Sequence, residues 1–391
     1  MGSIAQWGND LYTGKRSIDF IGRQRQWYAV SAVLITLALI GIFARGLNFG
    51  IEFRGGSEYR LSGVTNTVNY EDRAKSAISQ AGLEGNVTAT VIGGNSVRVQ
   101  TVAAGERNDA AKAALAKSFD VPVTSVSASL IGPSWGESVS QKAIQALFAF
   151  LFLVSLVMAA YFRTWKMALS GLVALIHDLI VTVGIYSLFG FEITPSSVIG
   201  FLTILGYSLY DTVVVFDKVR ENTAEAFGSR RMSYSAAANL AVNQTLVRSI
   251  NTTVVALLPI LAILVVGFTK LGPGTLLDLS LALFVGIAVG AYSSIFIATP
   301  LLVDLRRREP AVAELDAHMA RNRPKDAQAR STSASSAAGD DAVAVQDRAT
   351  SVIVADAEAD ADPTDSLGRP VHKWAATGPR QQPKRVPKSK R

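Results

Sequence analysis

The sequence predicts an α-helical polytopic membrane protein with six spans and one extracytoplasmic α+β insert domain. The first observation is composition: 49% of the 391 residues are hydrophobic and only 18% are charged, a balance too apolar for a soluble globular protein. The second is a set of six apolar segments, each close to the roughly 20 residues that cross about 30 Å of hydrocarbon. The third is a polar stretch between the first two segments, in which strand and helix patterns alternate.

Six apolar segments define the predicted spans. They cover residues 27–44, 143–162, 167–189, 195–216, 250–268 and 276–300. The first span follows a polar lead, residues 1–26, and lacks a small-residue cleavage site, so it is predicted to be an uncleaved anchor. The other five are predicted to form a bundle over residues 143–305, with a loop at 217–249 between the fourth and fifth spans.

The distribution of Lys and Arg predicts which side of the membrane each loop faces. Basic residues are concentrated in segment 1–26, in the short loop after the second span, in the loop 217–249 and directly after the sixth span. The loops on the opposite side, GFEIT and TKLGPGT, contain only Lys270. Because short loops rich in Lys and Arg stay in the cytoplasm, both termini are predicted to be cytoplasmic.

Residues 45–142 are predicted to form the extracytoplasmic insert. Its segments are SEYRLS, NYEDRAKSAISQAG, NVTATVI, NSVRVQT, ERNDAAKAALAKSF and VPVTSVSASL. These patterns alternate as strand, helix, strand, strand, helix and strand, and the GGN between the two middle strands is typical of a hairpin turn. The β-α-β-β-α-β order predicts a ferredoxin-like α+β domain.

Two further segments are predicted to lie in the cytoplasm. The loop 217–249 is interpreted as a helical hairpin or as a surface helix on the inner face of the membrane. Residues 306–391 are rich in Ala, Ser, Asp and Pro, and they are predicted to be a disordered tail. The basic end of the tail, PRQQPKRVPKSKR, is interpreted either as solvated chain or as a contact for anionic lipid or an acidic partner.

The most informative single residue is Asp211, inside the fourth predicted span. A carboxylate in hydrocarbon costs about 3 kcal/mol even on lenient insertion scales, and such groups usually serve an ion path or a partner helix. Thr203 and Tyr207 are predicted to share its helix face, and Arg248 lies at a matching level at the start of the fifth span. Two interpretations stay open: a permanent Asp211–Arg248 salt bridge, or a proton-coupling site in which Arg248 modulates Asp211.

Other spans also contain polar residues. His177 and Asp178 lie near the middle of the third predicted span. Because adjacent residues point about 100° apart on a helix, they are expected to face different neighbours. Asp178 is the candidate for a second proton-coupling residue. Asp278, close to the outer end of the sixth span, is interpreted as a solvated aspartate.

Composition also excludes several chemistries. The chain has no cysteine, which excludes disulfides, thiol catalysis and thiolate metal sites. With three histidines and no nucleophile–base or phosphate-loop pattern, the sequence predicts no enzyme activity, no cofactor and no metal site. The net charge is +7, but the basic residues cluster beside the spans, so nucleic-acid binding is not predicted.

Four motifs occur in order along the chain. They are LNFGIEFRGG at 47–56, IGPSWGESVSQKAI at 131–144, GYSLYDTVVVFDKVREN at 206–222 and LVRSINTTVVALLPILAI at 246–263. Together they resemble the motifs of the SecD/SecF family of protein-export membrane proteins. The motif positions include Gly50, Glu52, Phe53, Gly55, Gly56, Gly206 and Tyr207. The chain departs from the family at Glu52, where Asp is usual, and at Tyr210, where Asn is usual.

The resemblance implies an accessory subunit of the Sec protein-translocation machinery in the bacterial cytoplasmic membrane. It implies a heterodimer with SecD and contact with the SecYEG channel, the translocating polypeptide and membrane lipid, with YajC as a further candidate partner. In this family the residues that correspond to Asp211 and Arg248 are implicated in coupling transport to the proton gradient. The pair Gly55–Gly56 is interpreted as a turn or as part of a docking surface for SecD.

Two other functions stay open. A small-molecule efflux carrier of the resistance-nodulation type has related spans, but it has two six-span halves and two inserts, so this chain would need to form a homodimer. A purely structural assembly subunit would use Asp211 and Arg248 only to clamp two helices. Co-purification with SecD and the channel separates the export subunit from the carrier, and proton-linked export in Asp211→Asn separates it from the structural subunit.

Overall fold

The structure of the chain, a computed structural model, describes residues 4–272 and 274–321. Six helices in these ranges are long and apolar enough to cross a membrane, which agrees with the six predicted spans. The helices are α1 (Ile4–Tyr12), α2 (Gln24–Ile40), α3 (Ile51–Arg54), α4 (Tyr70–Gln80), α5 (Asn108–Phe119), α6 (Pro133–Phe162), α7 (Trp165–Phe189), α8 (Pro195–Ser229), α9 (Tyr234–Val266), α10 (Thr275–Ser293) and α11 (Thr299–Arg306). Short π-helical turns extend α2 (Gly41–Arg45) and α9 (Gly267–Leu271) and join α10 to α11 (Ser294–Ala298).

The insert between α2 and α6 contains one four-stranded antiparallel sheet. The strands of the chain are β1 (Asn48–Phe49), β2 (Gly56–Ser62), β3 (Thr88–Ile92), β4 (Ser96–Thr101), β5 (Val126–Ile131) and β6 (Glu192–Ile193). The order across the insert sheet is β3-β4-β2-β5, and Tyr59 in β2 lies opposite Val99 in β4 and Ala128 in β5. Helix α4 follows β2 and helix α5 follows β4, in the predicted order.

The alternation of side chains along the strands gives the insert its own core. Tyr59 and Leu61 in β2 are fully buried, and they belong to one apolar cluster with Ile78 of α4 and Phe119 of α5. The intervening residues of β2 point to the other face of the sheet, since successive side chains alternate. Burial of the apolar face against the two helices stabilises this domain.

The spans α8 and α10 pack closely because small residues lie where they meet. A Cβ atom added at Gly286 would lie 1.9 Å from Cδ1 of Ile204, and one added at Gly290 would lie 2.9 Å from Cβ of Ser208. Small residues allow helix backbones to approach in a membrane, where lipid supplies no hydrophobic drive for association. The glycines therefore fix how α10 faces α8.

The predicted loop 217–249 is a helical hairpin formed by the extensions of α8 and α9 beyond their apolar segments. The turn between them spans residues 230–233, and the Ser233 hydroxyl caps α9 by accepting a hydrogen bond from the Ala236 N–H at 3.2 Å. Asn239 and Asn243 of α9 hold the segment before the first span, because their Oδ1 atoms accept from the N–H groups of Phe20 and Ile18, both at 2.8 Å.

Two short strands tie the beginning of the insert to the loop between the third and fourth spans. β1 and β6 pair in parallel, and the Gly50 N–H donates to the Ile193 carbonyl at 2.9 Å. Gly55 has a φ of +74°, which favours glycine, and a Cβ added at Gly56 would lie 2.7 Å from the Thr101 carbonyl oxygen. Gly55 thus turns the chain into β2, and Gly56 is the first residue of that strand.

The disorder predicted for residues 306–391 does not begin at residue 306. Residues 310–321 are helical, and Val312 and Leu315 are buried in the apolar core of the bundle. The carboxylate of Glu309 forms ion pairs with Lys166 at 2.9 Å and with Arg306 at 3.0 Å. Apolar side chains spaced three apart give this segment a helical face, which the polar composition of the whole tail concealed. The rest of the predicted tail, including its basic end, lies outside the described residues.

We expect Glu309→Gln to destabilise the chain by about 1–2 kcal/mol, since two charge-assisted contacts are lost. Burial raises the pKa of the Glu309 carboxyl, but hydrogen bonds from Arg306 and Lys166 outweigh burial and lower it. A lowered folded-state pKa means that the contribution is present above the unfolded pKa and is lost as the pH falls through the folded value. Thermal unfolding in detergent should therefore show a difference between wild type and variant at pH 7 that shrinks below about pH 4.

The matched control for this prediction is Glu314→Gln. The Glu314 side chain is 72% exposed and reaches Arg230 at 3.4 Å, so its removal should leave the unfolding temperature unchanged. Equal unfolding temperatures for wild type and Glu309→Gln at pH 7 would contradict the anchoring of this helix by Glu309.

Candidate functional site

Asp211 lies in the middle of α8 with both carboxylate oxygens bound by serine hydroxyls. Ser249 of α9 donates to Oδ1 at 2.7 Å, and Ser294, at the start of the π-helical turn after α10, donates to Oδ2 at 2.6 Å. Asp211 is buried, at 6% exposed. Three helical segments therefore meet at one carboxylate inside the bundle.

Asp178 of α7 forms a second buried carboxylate site. Its Oδ2 accepts from Ser208 of α8 at 2.6 Å and from Ser293 of α10 at 2.8 Å. Its Oδ1 lies 3.2 Å from Nδ1 of His177. Asp178 thus contacts the fourth span through Ser208, while the His177 ring lies beside Tyr292 of α10, with the centroids 6.2 Å apart. Asp178 is only 1% exposed, which makes this the more deeply buried of the two carboxylates.

The two carboxylate sites are linked through α8 and the end of α10. Ser208 and Asp211 are three residues apart on α8, so they share a helix face, and Ser293 and Ser294 are consecutive. Each of these consecutive serines donates to a different carboxylate. The helix changes to π geometry from Ser294 to Ala298, and π-helical turns inside helices occur frequently at functional sites.

The electrostatics of the site distinguish it from a clamp made by opposite charges. Within the described ranges, Asp211 has no Lys, Arg or His within ion-pair distance, and the only such group at Asp178 is His177. A buried carboxylate without a cationic partner is costly unless hydrogen bonds compensate. Serine hydroxyls both donate and accept, so they can bind the anion and, after rotation, accept from the protonated acid. The site can therefore hold either form of the carboxyl group.

The expected contact between Asp211 and Arg248 is not made. Arg248 is exposed, and its Nη2 donates to the Tyr210 hydroxyl at 3.3 Å. Its neighbour Ser249 occupies the inward position at this level of α9. Adjacent residues differ by about 100° around a helix. The predicted position of Arg248 along α9 was therefore right, but the predicted direction of its side chain around the helix was wrong. Tyr210, one of the two departures from the family motifs, is likewise exposed beside Arg248.

The polar stripe predicted on α8 also differs from the structure. Asp211 is buried, Tyr207 is half-buried and Thr203 is exposed. A spacing of four residues advances 400° around a helix, so the direction drifts by about 40° at each step. Asp278 is not simply solvated, since its Oδ2 accepts from the Thr194 hydroxyl at the start of α8 at 3.0 Å.

The outward sides of α8 and α9 carry several polar residues within apolar spans, and we call the surface around them the α8–α9 face. Its exposed polar residues are Thr203, Tyr210, Arg248 and Asn251, with Gly206 between them; other exposed residues of these helices, such as Ile250 and Val254, are apolar. A Cβ added at Gly206 would meet no atom within 4 Å. Polar side chains in contact with hydrocarbon are costly and usually pair with other protein groups. The face therefore has the character of a helix-packing surface.

The motif residues near β1 lie at the junction of the insert and the bundle. Phe53 packs in an apolar cluster with Ile193 and Phe201. The Oε2 atom of Glu52 is buried and has no hydrogen-bond partner among the described residues. Burial raises the pKa of the Glu52 carboxyl above its ordinary value, and the nearby Glu192 carboxylate adds to this rise. No group of three or more His, Asp and Glu side chains in residues 4–272 and 274–321 is arranged to hold a metal ion.

The sequence reasoning missed the serines. Ser208 could have been noticed because it lies three residues before Asp211 on the same span. Ser249, Ser293 and Ser294 carry no such signal, because serine occurs often in membrane helices and bonds its own backbone there. An ion-pair cluster around Arg98 of the insert was also missed, since it joins residues distant in sequence.

Comparison with known proteins points to one family. The family model described as "Protein export membrane protein SecD/SecF, C-terminal" matches residues 111–308, and the one described as "SecD/SecF GG Motif" matches residues 40–63. The protein translocase subunit SecF of Streptomyces coelicolor is 42% identical over 98% of this chain and 96% of its own length. That of Mycobacterium tuberculosis is 40% identical over 86% and 78%.

A solved structure also resembles this chain. The crystal structure of SecDF, a translocon-associated membrane protein from Thermus thermophilus, matches with a TM-score of 0.65 and 32% identity. The match covers 75% of this chain and 39% of the longer SecDF chain. The mostly helical architecture of this chain is therefore similar to that of part of a translocon-associated protein.

Proposed function

This chain belongs to the SecF family of protein translocase subunits, and we propose that it acts with SecD to use the proton gradient for polypeptide export. The observation that carries the proton-coupling part is the pair of buried carboxylates, Asp178 and Asp211, bound by serine hydroxyls. Intramembrane ionisable residues mark proton relays and ion paths by default. Since the relatives are named translocase subunits, an efflux carrier is not favoured.

In this proposal Asp211 and Asp178 bind and release protons while the helices around them rearrange. Protonation of Asp211 converts an anion that accepts from Ser249 and Ser294 into an acid that must itself donate. The change reverses one hydrogen bond between α8 and a neighbouring segment, which provides a local difference between two states of the bundle. Proton occupancy then biases which helix arrangement is favoured.

Arg248 has a different role in the proposal from the one expected from its level. It lies on the α8–α9 face, and we assign this face to contact with SecD. The exposed Arg248, Tyr210 and Asn251 inside apolar spans support this assignment, as does the much greater length of the matching SecDF chain. Arg248 would then pair with an acidic group of SecD or donate a hydrogen bond to a polar one. Its effect on Asp211 would be indirect, through Tyr210 and the helices. The SecYEG channel is the proposed source of the emerging polypeptide.

The experiment that tests the function uses membrane vesicles that contain SecD and the channel. Vesicles with and without this chain are compared for export of a precursor polypeptide, each with and without a proton gradient. The proposal predicts that the gradient-stimulated part of export requires the chain, and that the chain co-purifies with SecD. Equal stimulation in vesicles that lack the chain would contradict it, and a homodimer that transports small molecules without SecD would favour the efflux carrier.

The orientation is proposed from the loop charges, with both termini in the cytoplasm and the insert outside. The chain has no cysteine, so single cysteines can be introduced without background. A cysteine at the exposed position Ser129 of β5 should react with a membrane-impermeant maleimide in intact cells, whereas one at the exposed position Ser229 at the end of α8 should react only after lysis. The opposite labelling pattern would invert the proposed topology.

We infer further that residues 45–142 are a ferredoxin-like domain. Two observations support this inference: the β-α-β-β-α-β order and the sheet order β3-β4-β2-β5 with antiparallel neighbours. The proposed domain limits are 1–26, 27–44, 45–142, 143–305 and the tail after residue 305. Expression of residues 45–142 alone, followed by a solution structure, tests both the limits and the domain type. An unfolded fragment would show that the domain needs the bundle.

A further inference from the structure

A cluster of charged residues lies where the insert meets the outer ends of the spans. At its centre is Arg98 of β4, which is 8% exposed. Its Nε donates to Glu58 of the neighbouring strand β2 at 2.7 Å, and its Nη1 donates to Glu192 of β6 at 3.1 Å. Gln100, two residues further along β4, donates to the other oxygen of Glu192 at 2.9 Å. Burial lowers the pKa of the Arg98 guanidinium, but Glu192 and Glu58 outweigh burial and raise it.

The two carboxylates that hold Arg98 belong to different parts of the molecule. Glu58 and Arg98 both lie in the insert sheet, so their contact is internal to the insert. Glu192 lies in the loop between the third and fourth spans, so its contacts with Arg98 and Gln100 join the insert to the bundle. The guanidinium thus forms one ion pair within the insert, with Glu58, and one across the junction, with Glu192.

Glu192 is directly connected to the beginning of the fourth span. Two residues later, Thr194 caps α8 by accepting from the Ser197 N–H at 3.2 Å. The Thr194 hydroxyl also donates to Asp278, in the first turn of α10, at 3.0 Å. The contacts of Glu192 therefore lead to the outer ends of α8 and α10. Asp211 lies further along α8, and Ser294 directly follows α10.

We propose that Arg98 and Gln100 are positioning residues that transmit the rearrangement of the fourth span to the extracytoplasmic insert through Glu192. The proposal rests on the proposed proton-coupled function. Helix α8 is continuous from Pro195 to Asp211, a length of about 24 Å at 1.5 Å per residue. A rigid helix carries a displacement at Asp211 to its outer end.

The insert end of this connection is equally rigid. Arg98 is flanked by Val97 and Val99, both fully buried in the core of the insert, and β4 is paired on both sides. The backbone that carries Arg98 is therefore held in the sheet, so a displacement of Glu192 acts on the sheet through this side chain. Because the cluster is mostly buried, an uncompensated charge there is costly, and the pair favours joint movement over separation.

The test compares Glu192→Gln with Glu58→Gln in the vesicle export assay. Both variants remove one negative charge from the same guanidinium, and in both Arg98 keeps one carboxylate partner. Only Glu192→Gln removes the charge that pairs Arg98 with the bundle, because the glutamine is neutral and leaves at most an ordinary hydrogen bond across this junction. The expected result is a loss of gradient-stimulated export of about tenfold for Glu192→Gln, within the usual range of coupling between sites. Glu58→Gln should retain the stimulation, and export without a gradient should be the same for both.

A conservative variant and a control for folding complete the experiment. Glu192→Asp keeps the charge and should recover most of the stimulation. Amounts of each variant in the membrane and co-purification with SecD are measured in parallel, so a loss caused by failed assembly is recognised. Equal losses for Glu192→Gln and Glu58→Gln would overturn the proposal, since the cluster would then only stabilise the insert. Full stimulation in Glu192→Gln would also overturn it.

The same assay separates this proposal from the function on which it rests. If Asp211→Asn loses the gradient-stimulated export while Glu192→Gln keeps it, the proton-coupled function stands and the transmission through Arg98 is wrong. If vesicles with and without this chain show the same gradient-stimulated export, the proposed function is wrong, and so is the transmission through Arg98.

Discussion

Replacing Asp211 by Asn is expected to abolish the gradient-stimulated part of export while leaving the chain assembled with SecD. Asparagine has the size of aspartate and can still accept at Oδ1 from Ser249, but its side-chain amide does not titrate at physiological pH. The helices α8, α9 and the end of α10 should therefore stay in contact. Export driven without a gradient should continue at its wild-type rate, because the affected step is the use of the gradient.

The measurement is export of a precursor into membrane vesicles with and without a proton gradient. Asp217→Asn is the matched control, since Asp217 lies six residues further along α8 and is exposed. The control should retain full stimulation, and Asp178→Asn should show a loss in the same direction as Asp211→Asn. Full stimulation in Asp211→Asn would mean that this residue only holds helices together, and the structural subunit would become the better interpretation.

Replacing Gly290 by Leu is expected to have the second large effect, through the packing of α10 against α8. A Cβ at this position would lie 2.9 Å from Cβ and 3.2 Å from Oγ of Ser208, and 3.6 Å from Oδ2 of Asp178. A leucine must therefore push α10 away from the Asp178 site. Overpacking of this kind costs about 2–3 kcal/mol, and it should also separate Ser293 from Asp178.

Gly206→Leu provides the matched control on the facing helix. A Cβ at Gly206 meets no atom within 4 Å, so the isolated chain should unfold in detergent at the wild-type temperature. Because Gly206 lies on the α8–α9 face, the same variant should fail to co-purify with SecD. Gly290→Leu should show a lowered unfolding temperature even without SecD. Normal SecD binding by Gly206→Leu would show that SecD contacts another face.

The spans and the insert could be predicted because their signals are local and strong. A run of about 20 apolar residues predicts a span without any knowledge of its neighbours, and alternation of strand and helix patterns predicts the order of the insert elements. The hairpin between α8 and α9 was harder to predict, since both helices continue beyond the apolar runs. In a hairpin the two spans continue as helices beyond the membrane surface, whereas in a surface helix they end there, and the sequence does not distinguish these two interpretations.

The site could be predicted only in part, because the direction of a side chain around a helix depends on its neighbours. The depth of Asp211 followed from counting residues along its span. The choice of Ser249 over Arg248 as its contact on α9 required the rotation of that helix, which the sequence alone does not determine. The link from Arg98 to Glu192 joins residues 94 positions apart, and no periodic pattern connects them.

Asp211 is expected to change its protonation state within the assembled complex, and infrared spectroscopy measures this change directly. Spectra of the complex with SecD are recorded over a range of pH, and the spectrum of Asp211→Asn is subtracted from that of wild type. A carboxylic C=O band that appears on acidification and is replaced by a carboxylate band at higher pH, present in wild type and absent in Asp211→Asn, is the predicted result. A difference spectrum that shows carboxylate bands unchanged at every pH would contradict the claim, since Asp211 would then be a permanent anion.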